Sequence, residues 1–263
     1  MNAGRVLYDA FIVKKLSSLT IFFPALNDAR SLPYLINRAF TVAESVAKKY
    51  EVIIIDDGST DETREVLATA LAHYKNLRII RHAKNMGYGA ALQDGFTHAK
   101  YSWIFYTDGD GQYDPSELKL LVPMVTSTID VVNGYKLHRS DSFMRKVIGS
   151  LYNNLSHTEY TLPIRDVQCD FRLIRKSALE KFRLTATSGL VCLELVLKLT
   201  QTGARFAEIG VHHYPRMFGH SQFFRPANLW RTFIEHVGLF VRFMKRQHEK
   251  GKKYLGKRLY GTI

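Results

Sequence analysis

Cysteine is scarce in this chain: Cys169 and Cys192 are the only two among 263 residues. They form no CxxC pair and no framework of bridges, so a reduced, cytoplasmic setting is the expectation. No run of eighteen apolar residues occurs, and the first residues lack the basic, apolar and small-residue order of a signal peptide. A spanning helix and a secretory leader are therefore not expected. The GxGxxG fingerprint is missing, which argues against a dinucleotide dehydrogenase. Repeats, low-complexity tracts and motifs that read RNA or DNA are also missing, so nucleic acid is not an expected partner. Acidic side chains are few: 24 Asp and Glu against 37 Lys and Arg leave a net charge of +13. Such a surplus suits an anionic partner, either a phospholipid surface or a phosphorylated substrate. It is concentrated from Arg225 onward, where only Glu235 and Glu249 oppose many Lys and Arg.

What is present is an alternation. Leu19–Phe23 is a short apolar run before Pro24 and reads as a buried strand. Ser31 and Pro33 open a helical stretch whose Leu32, Leu35, Ile36, Ala39, Val42 and Val46 share one side. Val52–Ile55 is a β-branched strand ending in Asp56-Asp57-Gly58. Ser59, with Glu62 three residues on, predicts a capping box for the next helix. A strand over Arg78–Arg81, a helix over Gly87–Lys100 and a strand over Trp103–Tyr106 follow. Alternation at this spacing predicts an α/β fold with a mostly parallel central sheet and helices on both faces. Ligands in such sheets sit beyond the carboxyl ends of the strands, where Asp56, Asp57, Asp108 and Asp110 fall.

Three segments carry the candidate chemistry. In YTDGDGQYDP, residues 106–115, two carboxylates flank a glycine that permits a turn bringing them together. Hard oxygens of this kind suit Mg²⁺ or Mn²⁺, which also takes diphosphate oxygens, and Gln112 can add a carbonyl oxygen. In DDGS, Asp57 can accept from a uracil N3–H or bond a ribose hydroxyl. In Lys84–Gly89 (KNMGYG), glycines before a helix let backbone N–H groups approach phosphate.

The ordered pieces FPALNDARSL, VIIIDDGSTDET, RHAKNMGYGAAL, YTDGDGQYDP, DVQCDFRLIRKSAL and YPRMFGHSQF make the chain resemble the family 2 glycosyltransferases of GT-A fold. Within them it is similar to the dolichol-phosphate mannose synthase-like, polyprenyl-phosphate group. The resemblance implies a Rossmann-like nucleotide-diphospho-sugar transferase fold over residues 19–224, with a nucleotide-binding half to about 133 and an acceptor half after it. Residues 1–18 are then an N-terminal extension and 225–263 a basic amphipathic helical tail. The resemblance also implies that Pro24, Ala25, Asn27, Asp28 and Asp57 line the base and ribose pocket. Asn85, Gly87 and Gly109 belong to the donor site, Asp108 lies by ribose and metal, and Asp110 and Gln112 ligate the metal. Arg145, Arg172, Arg216 and Ser221 meet donor and acceptor phosphates.

Four positions depart from the family pattern. Asp28 stands for Glu, Tyr88 for Lys, Gln222 for Lys, and Asp170 for Gly beside the acceptor region. The expected activity is inverting transfer of a sugar from a UDP- or GDP-linked donor to a polyprenyl phosphate at an anionic membrane face. The basic tail and its stripe Trp230, Phe233, Val237, Phe240, Met244 would supply membrane proximity, unless that stripe packs on the domain. The alternative is a hydroxyl acceptor, with Asp166 or Asp170 as the base. A non-catalytic basic adaptor is a third reading, against which intact Asp108, Asp110 and Gln112 speak. His213 is an optional further metal ligand or a structural histidine, and both cysteines are expected to be buried and inert.

Overall fold

The computed structural model describes residues 15–138, 143–216, 218 and 226–259. Its β-branched and aromatic runs form β1 (Leu19–Ala25), β2 (Tyr50–Asp56), β3 (Leu77–Arg81), β4 (Trp103–Thr107), β5 (Val131–Lys136), β6 (Phe171–Arg175) and β7 (Phe206–Val211). The helices are α1 (Leu32–Val46), α2 (Thr63–His73), α3 (Tyr88–His98), the single turn α4 (Leu118–Leu121) and α5 (Phe143–Glu159). After them come the single turn α6 (Lys176–Leu179), α7 (Val191–Gln201) and α8 (Pro226–Leu259). All seven strands join one sheet in the order β3-β2-β1-β4-β6-β5-β7. Only β6 runs against its neighbours, β4 and β5. The α/β architecture with a mostly parallel sheet is the one the alternation predicts.

Alternation along β1 builds two cores. Leu19, Ile21 and Phe23 point to a layer that includes Leu32, Leu35, Ile36, Ala39 and Val42 of α1. Phe22 points to the other face, where Ala91 and Leu92 of α3 and Leu193, Leu195, Val196 and Leu199 of α7 collect. The period of two in the strand and 3.6 in the helix thus meet on each face. The predicted apolar side of α1 is buried at all six of its positions.

The helix after β2 starts differently from the expectation. α2 begins at Thr63, and its leading N–H is capped by the Asp61 carboxylate at 3.1 Å. Ser59 instead turns its hydroxyl to the Asn27 N–H (2.9 Å), and its own N–H is taken by Asp56 (2.9 Å). The Ser-x-x-Glu spacing is met, but the chain between Asp56 and Asp61 is a separate turn whose donors go to Asp56 and to the Asn27 side chain.

One contact sets how closely α3 rides on the sheet. A Cβ at Gly95 would lie 2.3 Å from the Phe22 ring. That ring cannot retreat, being stacked on Tyr106 (centroids 5.4 Å) and edge-on to Phe96 (5.2 Å). Helix propensity alone would make Gly95→Ala stabilising by about 1 kcal/mol. Here overpacking reverses the sign, and a loss of roughly 1–3 kcal/mol is expected. Urea unfolding of the two proteins checks it; an unchanged or raised midpoint would refute it.

Candidate active site

The carboxyl ends of β1, β2 and β4 open into one cavity of about 370 Å³. Its floor is built by local turns. Pro24 and Ala25 end β1. The Asp57 N–H is held by the Ala25 carbonyl at 2.9 Å, and the Gly109 N–H by that of Pro24 at 3.1 Å, which draws the three strand ends together. Gly58 takes φ +76°, and a Cβ there would strike the Lys84 backbone at 2.5 Å, so glycine lets the loop after β3 press onto this turn.

Asp57 organises that loop. Its Oδ1 accepts from Met86 N–H (2.8 Å) and meets His82 Nδ1 (2.6 Å); its Oδ2 accepts from Gly87 N–H (2.9 Å). His82 is also held at Nε2 by Asp94 (2.7 Å). Burial alone would lower the His82 pKa, but its bonds to Asp57 and Asp94 outweigh it and raise the pKa above the ordinary histidine value. Asp57 therefore fixes Asn85 and Gly87 at the start of α3, in the cavity wall.

The end of β4 is crowded with carboxylates. Asp108 accepts from the Tyr88 hydroxyl at 2.7 Å. Burial, then the nearby Asp170 and Asp110, push its pKa well above the ordinary aspartate value. Asp110 accepts from Gln112 N–H (2.9 Å) and forms a close ion pair with Arg216. Asp28 is half-buried, and its desolvation, with the nearby Asp110, pushes its pKa up to about 6. Just ahead of β6, the strand next to β4, Asp170 accepts from the Tyr106 hydroxyl (3.2 Å) and the Cys192 thiol (3.1 Å).

Twelve of the residues singled out from the sequence therefore line this one cavity: Pro24, Ala25, Asp28, Asp57, Asn85, Gly87, Asp108, Gly109, Asp110, Gln112, Asp170 and Arg216. Four others do not. Asn27 is exposed at φ +57°, and its side-chain oxygen receives Thr60 N–H (2.8 Å), so it pins the turn after β2 and does not line the pocket. Asp166 pairs with Lys136 at 3.4 Å, away from the lining, which removes it as a base. Arg172 is fully buried and its guanidinium is consumed by Asn133 (2.6 Å), Tyr106 (2.5 Å), Asp170 (3.4 Å) and the Val167 carbonyl. It is a counter-ion beneath Asp170 and not a phosphate ligand. The side chain of Arg145, and Ser221 and Gln222 altogether, lie outside the described residues. His213 is buried edge-on to Tyr113 (5.1 Å) and does not line the cavity.

Other walls went unseen in the sequence. Tyr88 reads in the sequence only as a departure from lysine, and Cys192 only as an inert thiol, yet both line the cavity. Thr187–Gly189 precede α7; Ile148, Gly149 and Tyr152 come from α5; Asn228, Arg231 and Thr232 come from α8. No short motif marks them, because they are single positions on helices whose periodicity reports only apolar sides.

The donor set can be tested against a divalent cation. Among the described residues no group of three or more His, Cys, Asp or Glu is placed to hold a metal alone. Asp108 and Asp110, two hard and mutually repelling carboxylates in one cavity, are what a Mg²⁺-type ion needs when substrate phosphates complete its shell. The residues fit such an ion.

A sheet with one reversed strand, a cavity beyond its carboxyl edge and an aspartate pair at that edge define a nucleotide-diphospho-sugar transferase architecture. The model of "Glycosyl transferase family 2" matches residues 20–183, more than half the chain, and the chain belongs to that family, whose members use nucleotide-sugar donors. Solved structures of glucosyl-3-phosphoglycerate synthase from Mycobacterium tuberculosis share the fold. The complex with Mn²⁺, UDP and phosphoglyceric acid is 16% identical with a TM-score of 0.59, covering 78% of this chain and 72% of that one. The complex with Mg²⁺ and UDP is 14% identical with a TM-score of 0.61, covering 78% and 73%.

Two outcomes follow from this geometry. Arg172→Leu should cost about 3–5 kcal/mol, because it strands a buried carboxylate, and Asp170→Asn in the same chain should recover part of it. A phosphate-binding arginine would instead weaken nucleotide binding at unchanged stability, so denaturation and nucleotide titration together decide. His82 gives a pH dependence. Its folded pKa is raised, so its contribution is full below the unfolded value near 6.5 and is lost as pH rises through the folded value. The melting-temperature gap between wild type and His82→Gln should shrink from pH 5.5 to 8.5; a gap that widens would contradict the clamp.

Proposed function

We propose that this glycosyltransferase moves a sugar from a UDP- or GDP-linked donor to a polyprenyl phosphate, with inversion, at the surface of an anionic membrane. The observation that carries the acceptor is the apolar rim of the cavity. α5 exposes Val147, Ile148, Leu151 and Leu155, and α8 exposes Trp230, Phe233, Ile234, Val237 and Met244. Ile148 belongs to both the rim and the cavity wall. Of the tail stripe, Phe240 alone packs inward, against the second core. Trp230 is 64% and Leu151 69% exposed, unusual for such side chains unless a partner covers them. Among the described residues no helix is long and apolar enough to cross a membrane. A peripheral seat suits this pattern. The backbone of α8 runs on to Leu259, so the cluster from Lys245 to Arg258 rides on the same helix.

The donor half follows from the cavity floor. Pro24, Ala25, Asp28 and Asp57 hold the nucleoside, and Asn85 and Gly87 present the start of α3 to phosphate. Asp108 and Asp110, beside Gln112, hold Mg²⁺ or Mn²⁺. That ion, when bound, neutralises charge on the departing diphosphate. Tyr88 orients Asp108 through its hydroxyl. Arg216 neutralises Asp110 and adds positive charge to the same wall. An ionised phosphate acceptor needs no base, so the walls have only to hold it in line with the anomeric carbon. A second reading rests on Asp170, a carboxylate facing the cavity: with a hydroxyl acceptor it would take the proton.

Asp110→Ala is expected to abolish metal-dependent donor turnover and Asp108→Ala to do nearly as much, since charge compensation worth several kcal/mol is lost. Turnover with Mn²⁺ and with EDTA measures it; full activity in EDTA would reject the metal. For the acceptor, the Trp230→Glu/Phe233→Glu pair should lose co-sedimentation with anionic vesicles and transfer to undecaprenyl phosphate in them. Unchanged transfer, or transfer by the wild type only to soluble alcohols, would replace this reading with the second.

A further inference from the structure

The cavity is strongly acidic. Five carboxylates line it, from Asp28, Asp57, Asp108, Asp110 and Asp170, against two guanidiniums, Arg216 and Arg231. Arg216 is taken by Asp110. Arg231 forms no ion pair among the described residues. Its Nη2 rests on the carbonyls of Thr187 (3.1 Å) and Met86 (3.4 Å). Among the described residues its Nε and Nη1 meet no hydrogen-bond acceptor, and its side chain is exposed.

The surroundings are built to hold that guanidinium in place. Gly87 has φ +102°, and a Cβ there would lie 2.2 Å from Arg231 Nη2, so only glycine lets the cation close over the start of α3. Four residues along the same helix, Glu235 accepts from both N–H groups and both hydroxyls of Thr187 and Ser188, the shortest at 2.6 Å. This latch fixes α8 against the loop that carries one of the two carbonyls. The start of α3 also bears a partial positive charge. A cation parked against a helix N-terminus, steadied by carbonyls and facing a cavity, is placed to receive an anion.

We infer that Arg231 is the residue that receives the phosphate of the acceptor. Its position selects the acceptor over the donor. Its chain neighbour Trp230 is on the exposed apolar face of α8, while Asn228, Arg231 and Thr232 enter the cavity. The guanidinium thus marks the boundary between apolar rim and polar interior, where an amphiphile with a hydrocarbon tail has its charged head. An anionic head entering past five carboxylates meets there a positive charge that no carboxylate occupies. The identity of the tail rests on the polyprenyl-phosphate reading above; the anion site does not.

The test titrates citronellyl phosphate, and citronellol as its uncharged control, into the full chain by calorimetry. Wild type should prefer the phosphate. Arg231→Ala should weaken it roughly 10- to 100-fold, the loss of a charge-assisted contact, and leave citronellol and nucleoside diphosphate affinity unchanged. Arg231→Lys, which keeps stem and charge, should fall between and covers the case in which the alanine variant does not fold. Equal phosphate affinity in wild type and in a folded Arg231 variant overturns the inference. So does a loss confined to the nucleoside diphosphate, which would give Arg231 to the donor. Phosphate binding through Arg231 without transfer to undecaprenyl phosphate by the wild type supports the anion site and removes only the polyprenyl reading. Transfer with the same KM in wild type and Arg231→Ala removes only the inference.

Discussion

Carboxylates gathered at the end of β4 and along its neighbours repel one another, and much of the architecture answers that repulsion. Arg172 is buried whole beneath Asp170, a costly placement that only a permanent counter-charge explains. Tyr106 and Cys192 add donors to the same carboxylate, and burial together with Asp170 holds the Cys192 thiol protonated, with its pKa well above the ordinary value. Tyr88 does the same service for Asp108 and Arg216 for Asp110. The cavity is thereby kept acidic on its floor and prepared for a cation and for phosphates, which together bring balanced charge.

The first four strands and the first three helices could be read from the sequence because their signals are local, whereas β5, β6 and β7 were not. Val52–Ile55 is β-branched without interruption, and the apolar positions of α1 recur at helical spacing, so each element declares its own buried side. The aspartates at strand ends were readable for a related reason: in a parallel sheet every strand ends at the same edge, so short-range pattern and topology coincide. Arginines offered no such help. Arg172 and Arg231 are alike in the sequence, each among apolar neighbours, yet one is sealed in the core and the other faces the cavity. The difference is the reversed strand β6, which turns Arg172 under the sheet edge, and no local pattern reports that reversal. Ser59 is another case: its spacing to Glu62 matches a cap, but Asp56 takes the Ser59 N–H and the Asn27 side chain takes that of Asp61.

Departures from the family pattern turn out to be connected in space. Tyr88 and Asp170, which look like independent substitutions 82 positions apart in the chain, stand on walls of one cavity and both bear on Asp108. A lysine at 88 would put a fixed positive charge beside Asp108; tyrosine supplies a donor and no charge. The positive character of the site is displaced toward Arg216 and the α8 side.

α8 presents different faces: Trp230, Phe233, Val237 and Met244 are exposed, while Asn228, Arg231 and Thr232 enter the cavity and Glu235 holds its wall. An uninterrupted helix turns about 100° per residue. A one-residue insertion or deletion ahead of Arg231 would therefore swing the tryptophan face toward the carboxylates and the guanidinium away from the cavity. Phase therefore constrains this part of the chain more tightly than composition: both faces keep their places only if length changes in steps close to whole helical turns.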